Sequence, residues 1–159
     1  VEKLIGSSAV SVARNINVPV IIVPGGYEFK TIERIALSCD YKDTEHTVPF
    51  GKIATIVEET GARLFVIYVD TNGGLPPDIL KENNERIKQA LEITDVRFHS
   101  LSGEKYIDIV NDFSEDNGID LVIAVPRKKG VFELLFKGSH TADLAFRSKK
   151  PILIIHNDG

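Results

Sequence analysis

The sequence has 159 residues, 43% of them apolar and 26% charged, with a net charge of −4. That is enough for the core of one ordinary domain. It exerts no general pull toward nucleic acid, and no apolar run approaches the ~20 residues of a membrane span. A single cysteine, Cys39, excludes an internal disulfide framework and suits a reducing cytoplasm.

Six short apolar runs punctuate the chain and read as strands: PVIIV (19–23), RIALSC (34–39), RLFVIYV (63–69), DVRFHSL (95–101), DLVIAV (120–125) and PILII (151–155). They are aliphatic and mostly non-alternating, as in parallel strands covered on both faces. Between the first two, VPGGYEFKTIE (23–33) carries a Pro-Gly-Gly breaker and reads as a linker. Phe50, Ile53, Ala54 and Val57 form one helical stripe that Gly61 stops. Residues 76–93 start with prolines, which a first helical turn tolerates, and place Leu80, Ile87 and Leu91 on a narrow apolar face. Ser102 is placed to cap a helix carrying Tyr106, Val110 and Phe113, with Asn117-Gly118 at its end. Ser139 is placed to cap a last helix with Ala142, Ala145 and Phe146 inside. From residue 34 onward strands and helices alternate, which implies right-handed crossovers and a parallel three-layer α/β sandwich.

The chain also repeats itself. Gly6, Ser7, Ala13, Pro19 and Ile22 recur 132 positions later as Gly138, Ser139, Ala145, Pro151 and Ile154, and Val20, Ile21 and Val23 recur as Ile152, Leu153 and Ile155. An offset close to one domain length is the mark of tandem duplication. It predicts that residues 1–23 are the last helix and strand of a preceding domain, 24–31 a linker, and 32–159 a complete domain. Four aliphatic side chains after Pro19 are worth roughly 1.5–3 kcal/mol each on burial, so this strand is expected to pair with or pack beside Pro151–Ile155.

The last 36 residues of the fold, DLVIAVPRKKGVFELLFKGSHTADLAFRSKKPILII, together with RIALSCDY, resemble the universal stress protein family. The resemblance covers essentially all of 32–157, and residues 1–23 resemble the tail of a second such domain. It implies five parallel strands in the order 3-2-1-4-5, of the adenine nucleotide alpha hydrolase type, here with an extra N-terminal helix and strand. It also implies association through the fifth strands, as a homodimer or an internal pseudo-dimer, with Val20, Ile22, Ile152 and Ile154 at the contact. Tandem members are common in bacteria.

Many members of that family bind ATP through a loop reading Gly-x-x-Gly-x9-Gly-Ser/Thr. Glycines let backbone N–H groups approach phosphates, and the hydroxyl residue sits at a helix N-terminus. Gly138 and Ser139 match the end of that pattern, but its first two glycines fall on Val125 and Lys128, and Pro126 removes a donor. Arg127, Lys128 and Lys129 offer charge in place of backbone. The segment 127–150 holds seven Lys/Arg against two acids, Glu133 and Asp143, and is an anion surface or a solvated face. Asp40 matches the family's acidic residue beside the nucleotide; as a strand-end carboxylate it is equally suited to capping a turn.

No Walker loop, Gly-x-Ser-x-Gly elbow or paired-His zinc motif occurs, and the four histidines fall in separate segments. Two readings follow. One is a non-enzymatic stress-response domain without a cofactor, acting in interaction and dimerisation with a degenerate nucleotide loop. The other is an ATP- or anion-binding regulatory domain with Asp40, Arg127, Lys128, Lys129, Gly138 and Ser139 around the ligand.

Overall fold

The computed structural model describes residues 18–71, 73–125 and 148–157. Six strands form one sheet: β1 (Val20–Ile22), β2 (Arg34–Ser38), β3 (Arg63–Asp70), β4 (Val96–Ser102), β5 (Leu121–Ala124) and β6 (Ile152–Ile154). Their spatial order is β1-β6-β5-β2-β3-β4. β2 pairs in parallel with β3 and β5, β3 with β4, and β5 with β6, whereas β1 runs antiparallel to β6. The expected five-stranded, all-parallel 3-2-1-4-5 sheet is therefore corrected to a six-stranded mixed one. The sixth strand comes from Pro19–Val23, whose backbone satisfies its donors and acceptors on the free edge of β6.

The helices are α1 (Thr44–Thr47), α2 (Phe50–Thr60), α3 (Pro77–Leu91) and α4 (Tyr106–Asp116). Strand side chains alternate between the two faces. On one face Ala36, Phe65, Ile67, Val122 and Ile152 pack with Ile107, Val110 and Phe113 of α4. On the other, Ile35, Leu37, Leu64, Val66 and Ile123 pack with Ile53 and Val57 of α2 and Ile87 and Leu91 of α3. The stripe read from the sequence thus turns inward on α2. Gly61 ends that helix at φ 65, a left-handed conformation that glycine adopts without a Cβ clash. α3 opens with proline in its first turn. Among the described residues no helix is long and apolar enough to cross a membrane.

Ser102 does not cap a helix. It is the last residue of β4, paired with Asp70, and α4 begins after Lys105 without a side-chain cap. The ladder hydrogen bonds of an edge strand outcompete a single hydroxyl–amide bond of about 1 kcal/mol. The helices expected before Pro19 and after Ser139 lie outside the described residues.

β1 is only half covered. Ile22 is buried and Val20 packs against the α4-side core, but Ile21 and Val23 remain 55% and 47% exposed. A strand at a sheet edge with an apolar neighbour on one face buries alternate residues only. Beyond it, the linker is strapped to the amino ends of the central strands. The Asp120 carboxylate accepts from the backbone N–H groups of Glu33 and Arg34 at 2.9 and 3.0 Å, and the Arg34 guanidinium donates to the Asn117 carbonyl at 2.8 Å.

Candidate functional site

The order of the strands defines a reversal point, which in open α/β sheets opens a crevice outside the strand ends. From β2 the chain passes by way of α2 to β3 on one side. The strand on its other side, β5, is reached from β4 by way of α4 on the opposite face. The strand order therefore reverses between β2 and β5, and such a reversal point is where open α/β sheets hold ligands.

Asp40 stands at this point, exposed, two residues beyond the end of β2. Its Oδ1 accepts from the Lys42 N–H at 3.0 Å, so the turn-capping geometry is realised. Cys39 is buried beneath it and donates its N–H to the Ile67 carbonyl at 3.0 Å. Tyr41 follows at φ 61, an uncommon conformation for an aromatic residue. Strain of this kind costs about 1–3 kcal/mol and is held by the packing of the side chain. The buried Tyr41 ring lies 5.0 Å from that of Tyr68, and its hydroxyl donates to Asn84 Oδ1 of α3 at 2.5 Å. On the α4 side the hydroxyls of Ser38 and Tyr106 bond each other.

The phenols around Asp40 are held neutral. Burial, with Asp70 and Asp40 adding their negative charge, raises the Tyr68 pKa. Burial pushes Tyr106 up to about 12, opposed by its hydrogen bond with Ser38 and helped by Cys39 and Asp40. Burial likewise raises Tyr41. Held neutral, these phenols add no charge that would repel an incoming anion.

Of the residues singled out in the sequence, Asp40 is at the reversal point, while Val20, Ile22, Ile152 and Ile154 lie together along the β1–β6 pair, on the far side of β5 from β2. Arg127, Lys128, Lys129, Gly138 and Ser139 lie outside the described residues. Val125, at the family's first glycine position, packs against the α2–α3 side of the core. Ser38, Tyr41, Tyr68, Asn84 and Tyr106 are additions that only the fold supplies. Their one trace in the sequence is that three of the chain's four tyrosines (41, 68 and 106) fall at the ends of strands or the start of a helix. Among the described residues no three His, Cys, Asp or Glu side chains are grouped to hold a metal. An open groove of about 410 Å³ lined by Pro24, Gly26, Tyr27, Lys30 and Lys149 sits at the opposite, amino end of the sheet.

Two histidines respond to pH in opposite directions. His46 Nδ1 lies 2.7 Å from Asp43 Oδ1, and that hydrogen bond, with the charge behind it, raises the His46 pKa. His99 lies 5.0 Å from the ring of Phe113 and 5.9 Å from that of Phe65, and burial, then Arg97, lowers its pKa. For His99 the unfolded chain takes up the proton first, so stability falls as pH drops from about 6.5 through the folded pKa. For His46 the stabilisation is full below about 6.5 and is lost as pH rises through the folded pKa. His99→Phe should flatten the acid-side decline in urea midpoint measured from neutral to mildly acid pH, and His46→Ala should steepen it. An unchanged profile in both variants would contradict these assignments.

No family model matches the sequence, and no curated protein matches it. Solved structures do share its fold. A universal stress protein in complex with cAMP matches at 23% identity and a TM-score of 0.60, over 80% of this chain and 98% of that one. A universal stress protein from Archaeoglobus fulgidus DSM 4304 matches at 22% identity and a TM-score of 0.69, over 98% of this chain but 56% of the other. The universal stress protein from Archaeoglobus fulgidus in complex with dAMP matches at 18% identity and a TM-score of 0.56, over 79% and 99%. The chain has the fold of the universal stress proteins.

Proposed function

We propose that this domain is a non-enzymatic regulatory module that binds an adenine nucleotide, or another phosphate-bearing anion, at the carboxyl ends of β2 and β5. The observation that carries this reading is the reversal of strand order between those two strands, with Asp40 at its mouth. Support also comes from the two structures of the same fold that hold cAMP and dAMP. In this reading Asp40 meets the nucleoside, while Arg127, Lys128 and Lys129, with Gly138 and Ser139, meet the phosphates. The packing of Val125 into the core favours it over a loop closed by that side chain.

Calorimetric titration with ATP tests the proposal. Binding should weaken about 10-fold in Asp40→Ala, the effect of losing one charge-assisted hydrogen bond. Lys128→Gly separates two uses of the loop: weaker binding assigns Lys128 to the phosphates, and stronger binding makes it an obstruction. No heat at millimolar ATP would remove the nucleotide reading.

A second role is favoured by the register of β1 on β6. Val20 faces Ile154, Ile21 faces Leu153 and Ile22 faces Ile152. Under the repeat, Val20 corresponds to Ile152, Ile21 to Leu153 and Ile22 to Ile154. The pairing thus exchanges equivalent residues about a local two-fold through Ile21 and Leu153, the relation of an isologous contact. We infer that the domain also associates through this edge, as a homodimer or within a tandem chain in which residues 1–23 end the preceding domain.

A further inference from the structure

Ser38 closes β2 and Tyr106 opens α4, and the two hydroxyls bond although 68 positions separate them in the chain. Ser38 is paired with Ala124, the last residue of β5, so the pair sits at the strand reversal itself. Both residues are half-buried, and the Tyr106 ring packs against the rim of the α4-side core. Asp40 follows Ser38 by two residues, so the pair and the carboxylate share the carboxyl end of β2.

Two hydroxyls carry two protons, and one hydrogen bond between them uses one. Among the described residues neither hydroxyl has a second partner. A phenol is more acidic than an aliphatic alcohol, even when burial pushes it up to about 12. Tyr106 is therefore the donor within the pair and Ser38 Oγ the acceptor. That bond fixes the rotor of Ser38 and leaves its proton for an acceptor in the crevice.

We propose that the Ser38–Tyr106 pair donates one oriented hydrogen bond to a sugar or phosphate oxygen of the ligand, and so selects ligands that present such an oxygen. This rests on the nucleotide reading above and adds to it a selecting residue, Ser38, and a positioning residue, Tyr106. Neither follows from the glycine pattern of the following loop.

The experiment is calorimetry on the full chain with three probes: ATP, adenosine and inorganic triphosphate. Ser38→Ala should weaken ATP about 10-fold, the effect of one hydrogen bond to an anionic oxygen. Ser38→Thr, which keeps the hydroxyl, should restore most of that loss, a rescue that a packing role does not predict. Tyr106→Phe frees the serine rotor and should cost about 3-fold. The double variant should be no weaker than Ser38→Ala alone, because the two residues act as a unit. If the loss follows triphosphate and spares adenosine, the oxygen is on phosphate; the converse assigns it to the sugar, and both outcomes support the pair as the selecting element. ATP binding unchanged in Ser38→Ala and in the double variant overturns this inference alone. Absence of ATP binding in the unaltered chain overturns the nucleotide reading and this one with it.

Discussion

A chain shortened to residues 24–159 should self-associate through β6. In the intact chain β6 is enclosed: β5 holds one edge, β1 the other, and Ile152, Leu153 and Ile154 are all at or below 5% exposed. Removing β1 strips a full ladder of partners from one edge of β6 and uncovers Leu153, against which Ile21 is registered. An exposed, flat, aliphatic edge is a template for another strand. The local two-fold through Ile21 and Leu153 identifies which strand fits: β6 of a second chain, antiparallel, with Leu153 opposite Leu153. Sedimentation should therefore show a dimer where the intact chain does not use this edge. Leu153→Cys in the shortened chain, with Cys39→Ser, should cross-link on oxidation, since directly opposed Cα atoms of an antiparallel pair lie within disulfide reach. A shortened chain that stays monomeric and as resistant to urea as the intact one would show that β1 covers nothing of consequence.

Ile123→Ala should cost about 3–4 kcal/mol of folding stability, within the range for emptying a closed core site. Ile123 is fully buried in β5, between Leu37 of β2 and Leu153 of β6. Its side chain belongs to the cluster that α2 and α3 close from above, so the strand neighbours, fixed by their ladders, have little freedom to collapse into the space. For a domain of this size each kcal/mol lowers Tm by roughly 2–4 °C, so a drop on the order of 10 °C is expected in calorimetry. Ile21→Ala is the internal contrast. It removes the same atoms from a side chain that is 55% exposed and should cost under about 1 kcal/mol. Equal effects of the two would contradict the burial of β5 and the half-cover of β1.

Much of the architecture was legible because it rests on local pattern. Runs such as LVIA can be buried on both faces only as inner strands. Phe50, Ile53 and Val57 lie on one stripe, and Gly61 and Gly118 mark helix ends at positive φ. The repeat of 6–23 at 138–155 even pointed to the strand against which Pro19–Val23 would lie. What pattern did not carry was geometry between distant segments. Whether β1 joins in parallel or antiparallel depends on the edge it meets, so a sheet read as five parallel strands became a mixed one of six. Ser102 has the chemistry of a cap, but the pairing of Ser102 with Asp70 claimed it for β4.

The site divides in the same way. Asp40 was visible as a carboxylate directly after a strand, a purely sequential property. Ser38 and Tyr106 were not, since only the crossover through α4 brings a helix start over the end of β2. Nor was the anchoring of Tyr41 by Tyr68 and Asn84, which needs β3 and α3 packed on the same face. The sequence by itself determined the alternation of strands and helices, the internal repeat and the carboxylate Asp40 after the first central strand, because each is set by neighbours along the chain. The tertiary structure alone decided the direction of β1, the local two-fold and the meeting of Ser38 with Tyr106 and of Tyr41 with Tyr68 and Asn84. These depend on which elements meet across space, and no periodicity along the chain encodes that.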